Sequence, residues 1–172
     1  MALTQAEFNC LVAEHGPALY RTSYRLVGDR HEAEDIVQET FRSAWDSRGR
    51  YIAGRGDRAW LLAILRRRSA DRWRRRTIRL QGGDFVGDVQ TAGNDPLADD
   101  YTDEMQAALG QLPRELRETL LLVVVGELTH QEAADVLKVP LGTVLSRVSR
   151  ARRRLRDYLL GVQRMEEARA KR

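Results

Sequence analysis

The sequence has a single cysteine, Cys10, so no internal disulfide can form. It also lacks a secretory apolar segment at its start, which predicts a cytoplasmic location. The apolar run Leu120 to Val125 is far shorter than a bilayer requires, so it reads as a buried helix or strand and membrane insertion is not expected. Neither His15 nor His31 has ligand-spaced companions, and His130 reads as a surface residue of a capping turn. No metal site, acid–base centre or cofactor is therefore indicated. Cys10 itself reads as a small buried residue.

Charge is what the sequence does have. Lys+Arg number 29 against 25 Asp+Glu, a formal net charge of +4. With a pI near 9.6, the balance points toward an anionic partner. Residues 58–79 hold nine arginines and one acid, Asp71, and residues 141–156 hold six arginines and no acid. Between them, residues 77–103 carry six aspartates, one arginine and four glycines. Gly82-Gly83, Gly93-Asn94 and Asp95-Pro96 interrupt any helical pattern there. A structureless stretch of this length is uncommon inside one domain. The expected fold is all-α: two small helical domains, 1–76 and 104–172, joined by a flexible acidic linker at 77–103.

Phe8, Leu11, Val12, Leu19 and Tyr20 mark a first apolar stripe, with Gly16-Pro17 as a break or bend. Asp29 can cap the next helix with Glu32 three residues on, in the manner of a capping box. There Ala33, Ile36, Val37, Phe41, Ala44 and Trp45 recur at core spacing. Glu32, Asp35, Gln38, Glu39 and Arg42 fall elsewhere on the surface. By default such an acidic face is simply solvated.

Gly49, Gly54 and Gly56 predict a loop exposing Arg48, Arg50, Tyr51 and Arg55. A helix follows whose apolar side is Trp60, Leu61, Ile64, Leu65 and Trp73, the tryptophans reading as core, and whose other side is largely guanidinium. Guanidiniums neutralise phosphates and aromatics stack on unpaired bases, a pairing that suits nucleic acid.

The sharpest pattern is "LTHQEAADVLKVPLGTVLSRVSRARRRLRDYL", Leu128 to Leu159. Thr129 and Glu132 form a capping box for a short helix through Ala133, Ala134, Val136 and Leu137. Lys138-Val139-Pro140 ends it, and proline opens the next helix where its missing N–H costs little. Val144, Val148, Ala151, Leu155 and Leu159 form the inner stripe of that helix. Ser146, Ser149, Arg150 and Arg153 lie opposite, flanked by Arg147 and Arg154. This is a helix-turn-helix, or else a plain helical hairpin with a solvated basic face; placement, caps and charge favour DNA. In a major groove arginine can chelate guanine, and serine or threonine can contact bases or phosphates.

"AEDIVQETFRSAW", "RAWLLAILRRRSADRWRR", "LPRELRETLLL" and "GTVLSRVSRARRRLR" stand in the same order as in extracytoplasmic-function sigma factors of bacterial RNA polymerase, which this chain resembles. The resemblance implies a non-enzymatic initiation factor whose partners are core RNA polymerase, promoter DNA and an anti-sigma factor. It matches Asp35, Gln38, Glu39 and Arg42 to the surface that docks on polymerase. It matches the loop at residues 47–57 to the base-capturing segment, with Arg50 and Tyr51 the candidates within it, and Arg67, Asp71, Arg72 and Arg75 to the helix that follows the displaced strand at the minus-ten element. Thr143, Ser146, Ser149, Arg150 and Arg153 match the minus-thirty-five reading face. The linker is expected to span the polymerase between the two domains. Departures fall at Leu145, where many relatives carry lysine or arginine, and at Lys138, where glycine is common and a left-handed lysine costs about 1 kcal/mol. Asparagine is frequent at the Arg67 position and an apolar residue near Asp57. A free-standing helix-turn-helix regulator and a general arginine-driven nucleic-acid binder are the alternatives.

Overall fold

Thr4 starts the first helix. Its hydroxyl accepts from the Glu7 N–H at 3.3 Å, and the Glu7 carboxylate accepts from the Thr4 N–H at 2.8 Å. This capping box satisfies donors that a helix N-terminus leaves open. The same bonds, the backbone one foremost, hold the Glu7 carboxyl below its usual range. The computed structural model describes residues 3–52, 56–81 and 103–170, and no strand occurs among them. Helices α1 (Gln5–Val27), α2 (Arg30–Asp46) and α3 (Asp57–Gln81) build the first domain, with a 3-10 turn at Arg48–Arg50. Helices α4 (Asp103–Gln111), α5 (Arg114–Val124), α6 (His130–Leu137) and α7 (Leu141–Ala170) build the second.

Helix α1 ends at Gly28, whose left-handed φ of 75° suits glycine and whose N–H donates to the Tyr24 carbonyl. Asp29 then caps α2 by accepting from the Glu32 N–H at 2.7 Å. The cap is one-sided, because the Glu32 carboxylate turns toward Arg72 on α3, 4.0 Å away.

Three expectations need correction. Gly16-Pro17 does not break α1, which runs through Pro17. The proline forfeits one backbone bond, but Leu11, Ala18 and Leu19 are buried on either side of it, and that burial outweighs the loss. Cys10 is exposed, since Leu11 takes the inward position beside it. Trp73 is 50% exposed rather than core, with the Arg114 guanidinium 6.0 Å from its ring centroid. Of the expected linker, the first residues continue α3 to Gln81 and Asp103 opens α4; residues 82–102 lie outside the described residues, as do 53–55 of the arginine-bearing loop.

The two domains pack against each other through α1 and α3 on one side and α4, α5 and α6 on the other. Leu19, Leu61, Leu62 and Leu65 join Leu109, Leu116 and Leu121 in one apolar core. Gly126 permits the contact: a Cβ there would lie 2.7 Å from Leu62 Cδ1 and 2.7 Å from the Leu122 carbonyl oxygen. Polar pairs ring this seam. Arg25 donates to Gln106 Oε1 at 3.0 Å, Arg58 meets Glu127, and Arg66 Nε stands 3.0 Å from the buried Glu118 carboxylate. That last pair is close but out of line for a hydrogen bond from Nε. Among the described residues no helix is long and apolar enough to cross a membrane.

Candidate nucleic-acid interface

Three surfaces carry the predicted residues. The first is the outer face of α2. Ile36, Ala33 and Ala44 anchor the helix in the core, so Asp35, Gln38 and Arg42 point outward and Glu39 is half-buried. Arg72 of α3 reaches across to this face. Its Nη2 donates to Asp35 Oδ2 at 2.7 Å, its Nη1 lies 3.7 Å from Glu39 Oε1, and its Nε is 4.0 Å from Glu32. The structure thus brings Arg72, expected among the DNA-facing residues, to the carboxylates expected to meet polymerase. Two guanidiniums, Arg72 and Arg42, against three carboxylates still leave the face net negative.

The second surface lies where the end of α2, the 3-10 turn and α3 converge. Ser43, Ser47, Arg50, Trp60, Ile64, Arg67, Arg68 and Asp71 line a cleft of about 270 Å³. A neighbouring hollow of about 420 Å³ shares Ser43, Ser47, Arg50 and Arg68. Arg50 and Arg67, both exposed, are therefore brought together over one cleft. Arg75 is exposed farther along α3. Asp71 is engaged by Arg74 and lies 4.0 Å from Arg68, so it orients neighbouring arginines. Arg68, Ser43 and Trp60 escaped the sequence reading as cleft residues, whereas Ser47 opens the expected base-capturing loop; the i, i+4 spacing of Ser43 and Ser47 was the available signal.

Tyr51 is held rather than loose. Its hydroxyl donates to Asp57 Oδ1 at 2.8 Å, and its ring sits 5.1 Å from that of Trp60. Desolvation foremost, and then the Asp57 bond and charge, push the phenol up to about 12. The phenol is thus neutral at physiological pH; Tyr51 does not line the cleft itself but packs against Trp60, which does.

The third surface is α7. Helix α6 opens on the Thr129–Glu132 capping box, with bonds of 3.2 and 2.8 Å. It closes at Lys138, which adopts the left-handed conformation (φ 56°, ψ 46°) expected of a glycine. Val144, Val148 and Ala151 are buried, which turns Ser146, Ser149, Arg150 and Arg153 to solvent and leaves Thr143 half-buried. Arg150 Nε donates to the Ser146 carbonyl at 3.3 Å, and Ser146 Oγ donates to the Thr143 carbonyl at 3.0 Å. Arg147 is tied to Glu115 of α5 at 3.0 Å and braces the helix from its flank. Helix α7 continues to Ala170, past the predicted stripe.

The two domains have known counterparts. Residues 11–78 match the family described as Sigma-70 region 2, and residues 102–155 that described as Sigma-70, region 4. The chain is 38% identical over 155 residues to the ECF RNA polymerase sigma factor SigE of Mycolicibacterium smegmatis, covering 87% of this chain and 60% of that protein. It is 30% identical to the ECF RNA polymerase sigma factor SigW of Bacillus subtilis, covering 90% of each. Among solved structures, the sigma factor RpoE in complex with the anti-sigma factor NepR from Bartonella quintana superposes with a TM-score of 0.79 at 30% identity, over 89% of this chain and 96% of that one.

Proposed function

The chain belongs to the extracytoplasmic-function sigma factors of bacterial RNA polymerase, and from that premise we propose that it is an alternative sigma factor. It binds core RNA polymerase, recognises minus-thirty-five and minus-ten promoter elements and promotes strand opening for initiation. It supplies recognition and melting, the polymerase supplies the catalysis, and both work in the cytoplasm. The observation that carries this reading is the segregation of charge: an acidic face on α2, and separate guanidinium faces on α3 and α7.

Each face has a distinct task. Asp35, Gln38, Glu39 and Arg42 dock on a basic partner surface of the polymerase, with Arg72 holding the two carboxylates in place. The cleft under Arg50 and Arg67, walled by Trp60 with Tyr51 packed against that ring, takes a base of the displaced strand, while Arg75 follows its phosphates. Extracting a base costs a few kcal/mol, which binding in a pocket returns, so melting needs no ATP. On α7 the exposed Ser146, Ser149, Arg150 and Arg153, with Thr143 at the edge, enter the major groove of the upstream element.

This division of labour requires the domains to part. Elements about 25 base pairs apart are separated by about 85 Å of duplex at about 3.4 Å per pair. A compact chain of this length has a radius of gyration of about 16 Å and thus a diameter of about 40 Å. The packed arrangement is a resting form that polymerase opens and that an anti-sigma factor would hold shut.

Purified chain mixed with core polymerase tests the reading. It should co-elute with core and direct run-off transcription from a defined promoter. DNA binding that ignores polymerase would instead indicate a free-standing regulator. Salt-sensitive binding without sequence preference would indicate a general nucleic-acid binder.

A further inference from the structure

Two exposed leucines interrupt the polar face of α7. Leu141 is 40% exposed and Leu145 48% exposed, and both precede the arginine-rich stretch of the helix. Spacing places them in one row: Leu141, Leu145, Ser149 and Arg153 succeed each other at i, i+4 intervals, and all are exposed. Their row is therefore continuous with the serine and arginine of the DNA-facing surface and distinct from the buried Val144, Val148 and Ala151. Gly142 adjoins it, and a Cβ there would meet nothing within 4 Å, so core packing does not account for the glycine. It leaves bare backbone beside Leu145 at the leading end of the helix.

The leading turns of a groove-reading helix approach base edges. Among the groups that the major groove displays, the apolar one is the C5 methyl of thymine; the others donate or accept hydrogen bonds. An isobutyl side chain next to open space can pack on that methyl and offers nothing to a phosphate. A single exposed leucine is ordinary on a protein surface. Two of them on the base-facing turns, in line with Ser149 and Arg153, are a reading element.

Resting on the sigma-factor reading, we propose that Leu145, flanked by Leu141 and Gly142, is a specificity residue that selects thymine at one position of the upstream promoter element through its methyl group. An apolar side chain there discriminates thymine from the other bases without adding salt-dependent attraction to phosphate.

The test uses holoenzyme reconstituted from the full chain and core polymerase. Bound sequences are selected from a random duplex pool, and each thymine of the enriched upstream element is then replaced singly by deoxyuridine, which removes only the methyl. One replacement should weaken wild-type binding about fourfold, as expected for one methyl returned to water. Leu145→Ala should bind the thymine and deoxyuridine forms equally, and Leu145→Lys should do the same with a steeper salt dependence. If an upstream element is enriched but no deoxyuridine replacement matters, or if the penalty persists in Leu145→Ala, the inference is overturned while the sigma-factor reading stands. If no upstream element is enriched at all, both fall.

Discussion

The seam between the domains gives the most quantitative prediction. Glu118 on α5 is nearly covered (side-chain exposure 9%), and Arg66 on α3 is partly open (33%), with 3.0 Å between them. Opposite charges about 4 Å apart in a medium of effective dielectric about 20 attract by about 4 kcal/mol. Hydration of the open side of Arg66, and the cost of burying the carboxylate, reduce the net contribution to about 1–2 kcal/mol. Glu118→Gln keeps the shape and removes the charge, so the packed form should lose about that much relative to the parted form. A loss of about 1.4 kcal/mol raises the parted population about tenfold. If only the parted form engages polymerase, apparent core affinity rises by the same factor while that population is small. The exposed Cys10 accepts one dye on α1 and a Gln163→Cys substitution on the exposed side of α7 accepts a second, so energy transfer reports domain separation directly. Glu118→Gln should shift the distribution toward long distances and tighten core binding; adding Arg66→Met should change neither further. A variant with lower thermal stability but unchanged distances and unchanged core affinity would refute the reasoning, leaving Glu118 a support within its own domain.

Other perturbations follow from the separate surfaces. Arg150→Ala should cost about 1–3 kcal/mol and relax selection at one upstream base pair in holoenzyme binding to promoter variants. Glu39→Lys should abolish co-elution with core polymerase by repelling the basic partner, while circular dichroism shows the helices retained; part of the effect will come from Arg72, 3.7 Å away. Lys138→Gly should relieve the left-handed strain at φ 56° and stabilise the chain by about 1 kcal/mol. Differential scanning should then show a melting temperature higher by about 2–4 °C. Asp57→Asn should bring the Tyr51 phenol down from about 12 toward its ordinary value, read as the ultraviolet phenolate titration absent in Tyr51→Phe. With the folded pKa raised, Tyr51's contribution is fully present below pH about 10 and is lost as pH rises toward 12, so Asp57→Asn should blunt that alkaline loss.

What was legible in the sequence was local. The Thr129–Glu132 box, the Asp29 cap and the Val144–Val148–Ala151 stripe each depend on residues three or four apart, within the reach of one helical turn. Those spacings sufficed for an all-helical chain with a helix-turn-helix, and they turned the predicted α7 residues outward. Where a pattern was extended too far it failed. Trp73 lies eight residues beyond Leu65, about 80° around an ideal helix, so it drifts off the buried face and becomes half-exposed. Pro17 does not end α1, because a proline signal describes the lost backbone bond and not the buried Leu11 and Leu19 that carry the helix past it. The contacts that change the functional argument are long-range. Arg72 and Asp35 are 37 residues apart in the chain, and Arg25 and Gln106 are 81 apart. No periodicity encodes such pairs, because helices of fixed amphipathicity can dock in more than one arrangement at similar burial. The consequence is specific. The sequence reading groups Arg72 with the DNA-facing residues of α3, yet it stands among the carboxylates of α2, and Arg66 stands at the domain seam. Guanidiniums on one helix thus serve three ends: bracing the dock, holding the domains together and meeting the displaced strand. Neutralising them one by one should separate these effects, since loss of Arg72 acts on core binding, loss of Arg66 on domain separation, and loss of Arg67 on strand capture alone.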